Sequence, residues 1–346
     1  MKSHVFDSLD RQLVHALHLD GRASFSRIAQ ALGVSDQTVA RRYGRLRGEG
    51  AVQVLGLTNP VALGEVQWIL RVQCAPDAAA SVAEALARRD DTAWVSLTSG
   101  GTEINCMTRA ENSQTGNSLL LQRLPRTPSV VGVTAHCVLH TYFGGAMSLV
   151  NKSDTLTPEQ VGQLRPGPER APAARAAEGS AGLLDEADRR MLALLQRDGR
   201  TGLADLAAVS GRSQSSVRRR MAELEENGVL YYDIDFERRI FGLESVAMLW
   251  LSVSPSRLAE TGQALAEHPE VAYACATTGP TNLHAVVVCS DIPSLYTYLT
   301  TRIAALDAVR QLETAPILRR VKSAASLPPV PARATPAGAA PRPHAG

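Results

Sequence analysis

The sequence predicts an α+β fold written twice, and three features carry that expectation. A block of residues recurs 178 positions further along the chain. Each copy opens with three short segments of helical periodicity, and each then runs through apolar segments in the order β-α-β-β-α-β. Length agrees, since 346 residues exceed one ordinary domain of about 150. Apolar residues at 45% and charged residues at 20% match ordinary globular usage, which excludes wholesale disorder and collagen-like or coiled-coil fibres.

The repeat is read without a gap over the first block. Asp20-Gly21-Arg22 returns as Asp198-Gly199-Arg200, Asp10-Arg11 as Asp188-Arg189, and Arg41-Arg42 as Arg219-Arg220. Leu17, Ala29, Gly33, Ser35, Val39, Leu46 and Gly50 also meet their own kind, so about a third of positions 10–52 are identical. One position further out of step, Ser99-Gly100 matches Thr278-Gly279, Thr102 matches Thr281, and Trp94 faces Tyr273.

In copy one, Leu9, Leu13 and Leu17 recur every four residues and stack on one helix face, with Gly21 expected as a left-handed cap. A second helix places Ile28, Ala29 and Leu32 inward and stops at Gly33. Ser35 then stands as the N-cap of a third helix that buries Val39, Tyr43 and Leu46. Copy two repeats the pattern with Met191 and Leu195, then Leu206 and Ala207, then Ser213 ahead of Val217, Met221 and Leu224. Two helices joined by a short glycine turn, the second capped by Ser, form a helix-turn-helix.

The outward face of each third helix carries the chemistry. If Val39 and Leu46 point inward, Gln37, Thr38, Arg41 and Arg45 point away, with Arg42 at the boundary. In copy two, Ser215, Ser216, Arg219 and Glu223 correspond, flanked by Arg218 and Arg220. Exposed helices of this kind suit the DNA major groove, where N-terminal residues meet base edges and arginines reach guanine or phosphate. The net charge of +2, from 36 basic and 34 acidic residues, gives no global attraction to nucleic acid, so the basic patches must act locally. After each third helix, Gly50-Ala51-Val52 and Gly228-Val229-Leu230 begin short β-prone segments expected as wings.

Next come a strand over Val66–Val72, a helix over 78–88, strands at Trp94–Thr98 and Ile104–Thr108, a helix around Leu119–Leu124 and a strand from Val130 to Leu139. Copy two gives Val246–Val253, Leu258–Leu265, Val271–Thr277, Leu283–Cys289, Leu295–Leu306 and Leu312–Arg319. This is the ferredoxin-like order, with both helices on one side of a four-stranded sheet. The opposite face is expected to be apolar and covered by the sheet of the other copy.

Both halves resemble the leucine-responsive/AsnC family of bacterial transcription regulators. The resemblance rests on the Asp20-Gly21-Arg22 turn, the Ser35…Val39…Arg42…Leu46…Gly50 segment and the glycine turn between the middle strands of each sheet. It implies winged helix-turn-helix domains at 8–57 and 183–236 and ferredoxin-like sensor domains at 64–150 and 243–325, in tandem duplication. Residues 151–182 are then a linker and 327–346 a disordered, proline-rich tail. It also implies double-stranded DNA as partner, with Ser35, Gln37, Thr38, Arg41, Arg42 and Arg45 reading in copy one. Ser213, Ser215, Ser216, Arg218, Arg219 and Arg220 read in copy two.

From the same resemblance come homo-oligomers built through the sensors and a small effector, an amino acid or related metabolite. The effector would lie near Ser99, Gly100, Gly101, Thr102 and Glu103 and near Thr278, Gly279, Thr281 and Asn282. Where the family's turn ends in Asp, this chain has Glu103 and Asn282, and Asn cannot meet an ammonium group as a charge.

Other chemistry is not expected. The five cysteines stand singly in apolar runs, as reduced core residues would, and no cofactor or metal is implied. His136 and His140 on one strand face would be ~13 Å apart, too far to share an ion. No membrane span or secretory signal is legible, so the protein is expected in the cytoplasm. The alternative function is a siroheme-decarboxylase-like enzyme of the same architecture, with His136, His140 and His284 as the histidines on offer.

Overall fold

The computed structural model describes residues 6–75, 77–111, 124–165 and 184–324. Copy one runs α1 (Ser8–Leu19), α2 (Phe25–Leu32), α3 (Asp36–Gly48), β1 (Val52–Thr58), β2 (Glu65–Cys74), α4 (Ala79–Ala87), β3 (Thr92–Thr98), β4 (Glu103–Glu111), β5 (Val130–Phe143) and α5 (Pro158–Leu164). Copy two runs α6 (Glu186–Arg197), α7 (Leu203–Ser210), α8 (Gln214–Glu226), β6 (Leu230–Phe236), β7 (Ser245–Val253), α9 (Leu258–Glu267), β8 (Val271–Thr277), β9 (Leu283–Cys289), α10 (Ile292–Tyr298) and β10 (Val309–Arg320). Most of the helix expected around 119–124, the linker from 166 to 182 and the tail lie outside the described residues.

The three-helix units form as their apolar spacing dictates. Leu13, Leu17, Ile28 and Leu46 are at most 1% exposed, each contributing about 1.5–3 kcal/mol of burial. Met191, Leu195, Leu206, Val217 and Leu224 do the same in copy two. Asp7 and Asp185 cap α1 and α6 in reciprocal capping boxes with Asp10 and Asp188. Gly33 and Gly211 end α2 and α7 in the left-handed conformation, as expected.

Gly21 does something else. α1 ends on Asp20 in an extended conformation, and Gly21 is required because a Cβ there would lie 2.9 Å from Val54 Cγ1 and from Tyr232 Cβ. Gly199 is equally crowded, its Cβ falling 2.8 Å from the Leu55 carbonyl carbon. These contacts exist because the strand after each three-helix unit does not fold back on its own unit as a hairpin wing. β1 and β6 pair antiparallel with one another, from Val52↔Phe236 to Thr58↔Leu230. The register is centred on Leu55↔Asp233, which are the same position in the two copies, so the ladder lies on a pseudo-two-fold axis. Arg22 reaches across to donate to the carbonyls of Gly199 (2.6 Å) and Thr201 (2.9 Å). Arg200 returns the contact to Gly21 (2.7 Å) and Ala23 (2.9 Å). The Asp-Gly-Arg repeat is thus a reciprocal latch between copies.

The two ferredoxin-like units fuse in the same symmetric way. Their sheets, β3-β4-β2-β5 and β8-β9-β7-β10, close into one eight-stranded barrel. Closure uses two equivalent junctions, Val138↔Thr277 and Ile317↔Thr98. The second sheet therefore covers the first by sharing edges rather than by stacking, because β5 and β10 are long, bulged strands that serve both sheets. Helices α4, α9 and α10 pack outside.

The covered face is not uniformly apolar, as it was expected to be. Ile69, Met107, Val138 and Cys275 line it beside Arg71, which pairs with Glu103 and with Glu313 of the other copy. Trp250 sits between His136 (ring centroids 4.7 Å) and His284 (4.1 Å), and the Arg71 guanidinium lies 5.0 Å from its ring. The paired charges make this interior tolerable.

Part of the expected linker is folded. After β5 a short 3-10 turn at Leu149–Lys152 leads to α5, capped by Thr157, whose Leu164 is fully buried against the first three-helix unit with Val150 and Leu156. Arg27 fixes the strap by donating to the carbonyls of Gln163 and Arg165, and Gln160 donates to Ala31. The apolar Leu156, Val161 and Leu164, spaced among polar residues, were the legible signal.

At the pseudo-axis the symmetry carries a cost. Burial pushes the Asp233 carboxyl up to about 7, whereas copy one has Leu55 in that position. His18, 3.9 Å away, offers no charge at neutral pH because burial lowers it to about 4. A raised carboxyl binds its proton more tightly folded than unfolded, so its contribution is complete below the ordinary range and is lost as pH rises through about 7. Replacing Asp233→Asn is expected to raise Tm by roughly 2–4 °C at pH 8, with the gain vanishing near pH 4. Calorimetry at the two pH values checks it, and an unchanged Tm at pH 8 would contradict it.

Candidate nucleic-acid interface

α3 and α8 begin alike. The Ser35 hydroxyl accepts from Thr38 N–H (3.1 Å) and the Ser213 hydroxyl from Ser216 N–H (3.3 Å). Thr38 and Ser216 turn their own hydroxyls back to the capping serine, so both are half occupied by the cap. Val39, Tyr43 and Leu46, and Val217, Met221 and Leu224, face the cores as expected.

The arginines divide into two kinds. Arg41, Arg218 and Arg219 are exposed along the outer strip together with Gln37 and Ser215, whose hydroxyl lies 3.0 Å from that of Ser213. Arg219 is 78% exposed, with a loose contact of 3.6 Å to Glu223. Arg42 and Arg45 instead converge on Asp10 of α1, which is 1% exposed. Arg42 reaches Asp7 (2.7 Å) and Asp10 (2.9 Å), while Arg45 takes both oxygens of Asp10 at 2.8 Å.

In copy two Asp188, also 1% exposed, is held by Arg220 (2.8 Å) and by Arg212 (2.6 Å) from the turn before α8. Burial alone would raise the Asp188 carboxyl, but the bonds from Arg220 and Arg212 outweigh it and hold it below its usual range. Arg42, Arg45 and Arg220 therefore fix the angle between the first and third helices.

The inward faces lie where the periodicity required, but Arg42, Arg45 and Arg220, expected among the reading residues, are drawn onto Asp10 and Asp188 instead, and Asp10, Asp188 and Arg212 were not singled out from the sequence. The available signal was the Asp-Arg identity carried through the repeat, an acid at the third position of a helix with no solvent role to explain it.

The hairpin turns are also internally committed. Glu103 is buried in the barrel on Arg71, and the Ser99 hydroxyl donates to it (2.8 Å). Asn282 exchanges two bonds with the backbone of Val253, at 2.8 and 2.9 Å. Thr278 clasps Cys137 of the other copy through backbone and hydroxyl, each at 2.9 Å, and its carbonyl meets His136 Nδ1 at 2.9 Å. Gly279 is needed there, since a Cβ would lie 2.8 Å from that nitrogen. What remains exposed is Ser99, Gly100, Thr102, Thr278 and Gly279, with Gly101 and Thr281 half-buried.

The histidines do not converge either. A bulge between Val138 and His140 leaves His140 exposed while His136 is buried. Among the described residues no group of three or more His, Cys, Asp or Glu could hold a metal. All five cysteines are free, four of them buried and Cys137 only half-buried. No helix among the described residues is long and apolar enough to cross a membrane.

The clamp and the strip are separable by stability. Asp10→Asn is expected to cost about 1.5–3 kcal/mol in chemical denaturation. Arg41→Ala should stay within about 0.5 kcal/mol. The reverse order would contradict the assignment.

Comparison with known proteins agrees with this geometry. The AsnC-type helix-turn-helix domain matches residues 6–47, a winged helix-turn-helix DNA-binding domain matches 184–231, and the Lrp/AsnC ligand binding domain matches 246–327. The HTH-type transcriptional regulator LrpA of Pyrococcus abyssi is 29% identical over 141 residues, 40% of this chain and 100% of that protein. An uncharacterized HTH-type transcriptional regulator of Pyrococcus furiosus is 31% identical over 144 residues, 40% of this chain and 95% of its own length. Over the whole chain, the crystal structure of the siroheme decarboxylase NirDL has the same fold, with a TM-score of 0.59 at 16% identity, covering 92% of this chain and 93% of that one. The chain belongs to the Lrp/AsnC family, and it carries two helix-turn-helix units.

Proposed function

We propose that this chain is a sequence-specific, DNA-binding transcriptional regulator of the cytoplasm that brings both half-site readers in one polypeptide. The observation that carries this reading is the pair of exposed strips, Gln37 with Arg41 and Ser215 with Arg218 and Arg219, fixed on either side of the β1–β6 pseudo-axis. A two-fold arrangement of reading helices suits half-sites about 34 Å apart on one face of the duplex. Arg41 and Arg219 are free to reach guanine or phosphate, and the helix-capping Ser35 and Ser213, with Thr38 and Ser216 beside them, set where each helix starts. Because Gln37 stands where copy two has Ser215, the operator is an imperfect palindrome.

Regulation would enter through the barrel, by an effector or a second chain that favours one arrangement of the sensors. Val133 and Leu139 on β5 are exposed at 36% and 60%, and their counterparts Leu312 and Leu318 on β10 at 38% and 61%. This matched pair of apolar patches supports assembly of several chains through the sensors. A decarboxylase reading gains little from the interior, since His136 and His284 are both buried against Trp250 and His140 lies apart from them.

Footprinting on a duplex carrying the operator tests the reading. Arg41→Ala should weaken protection of one half-site and Arg219→Ala the other, each by about 1–3 kcal/mol. Equal loss across both halves, or no salt-sensitive binding to any duplex, would contradict it.

A further inference from the structure

Between β5 and α5 the chain passes from one core into another within a few residues. Phe143 and Met147 pack in the apolar core of copy two's sensor. Val150, Leu156 and Leu164 pack in the core of copy one's three-helix unit. At the start of the crossing the Tyr142 hydroxyl donates to the Leu258 carbonyl of copy two (3.3 Å).

Lys152 straddles the two cores. Its backbone follows Val150 onto the three-helix unit, but its ammonium turns back over the face of Phe143. There it donates to the carbonyls of Ala266 (2.7 Å), His268 (2.8 Å) and Val271 (2.9 Å). Ala266 and His268 lie at the C-terminal end of α9, where carbonyls lack partners within the helix and a cation is favoured. All three donors of the ammonium are used, which fixes its position. Beyond it the Ser153 hydroxyl donates to the Val150 carbonyl (2.6 Å) and closes the turn. α5 is then held on α2 by the bonds of Arg27 and Gln160.

Among the described residues copy two has only part of this arrangement. After β10, Lys322 gives a single bond, 2.5 Å, to the Arg89 carbonyl beyond α4. Ala324 then packs on Leu55 and Leu57 of the ladder rather than on a three-helix unit.

We propose that the segment from Phe143 to Leu164 ties copy two's sensor to copy one's reader, with Lys152 as its positioning residue. A movement of α9 then reaches α2 and α3 through this tie, and the two readers respond unequally to the sensors. The inference concerns the protein without DNA and does not depend on the DNA-binding reading.

Spin labels on the full-length, DNA-free protein test it, read by pulsed dipolar spectroscopy over two equivalent spans. One span runs from Gln37 to Ala259 and the other from Ser215 to Ala80, all four positions being exposed. Lys152→Met should broaden the first distance distribution at least about twofold and leave the second unchanged. Arg27→Gln, which loosens the other end of the tie, should do the same and decides the matter if the first variant fails to fold. A first span that stays narrow in the folded variants would overturn the proposal. So would two spans that broaden alike, the signature of a general loosening.

Discussion

Backbone hydrogen bonds that cross from one copy to the other are the constraint on which this structure rests. Among the described residues β1 and β6 each have only the other as a strand partner, and β3, β5, β8 and β10 would be open edges in an isolated sheet. Leaving those amides and carbonyls unpaired is unfavourable and invites aggregation, so each half needs its counterpart. In this chain the counterpart is covalently supplied. The Arg22–Arg200 latch adds four charge-assisted bonds to carbonyls across the same axis. The Asp10 and Asp188 clamps hold α3 and α8 to α1 and α6, which pack on β6 and β1, so the ladder register sets where the two reading strips stand.

On that symmetric skeleton the copies have diverged at positions that matter. The clamp persists, but its second arginine is Arg45 on the helix in copy one and Arg212 before the helix in copy two. Inside the barrel, Arg71 and Trp250 occupy equivalent places and stack on one another, a cation from one copy against an aromatic ring from the other. Glu103 turns into that interior while its counterpart Asn282 caps a strand edge. Only copy one has α5 described, strapped to its three-helix unit. Such differences fit two units that share a scaffold and perform unequal tasks.

Much of this was legible in the residues. Leu13, Leu17, Val39 and Leu46 declared their helices because burial of an apolar face leaves a periodic trace, and Ser35 and Ser213 declared the helix starts because few residues cap well. The strands were legible within a few residues for the same reason. The role of Gly21 was not, since crowding by Val54 and Tyr232 is a tertiary fact and local sequence offers only the commoner explanation of a cap. Barrel closure was hidden as well: a strand that pairs on both edges has the same alternation as one that pairs on a single edge. Arg42 and Arg220 look like any exposed helical arginine until the buried partner from another helix is known.

The central claim is that the latched ladder fixes the two readers relative to each other before DNA is met. Spin labels at Gln37 and Ser215, read by pulsed dipolar spectroscopy on the DNA-free protein, measure this directly. A single narrow distance distribution is expected, broadening when Arg22 and Arg200 are both replaced by Gln. A broad distribution in the unaltered protein, or one indifferent to loss of both arginines, would contradict the account.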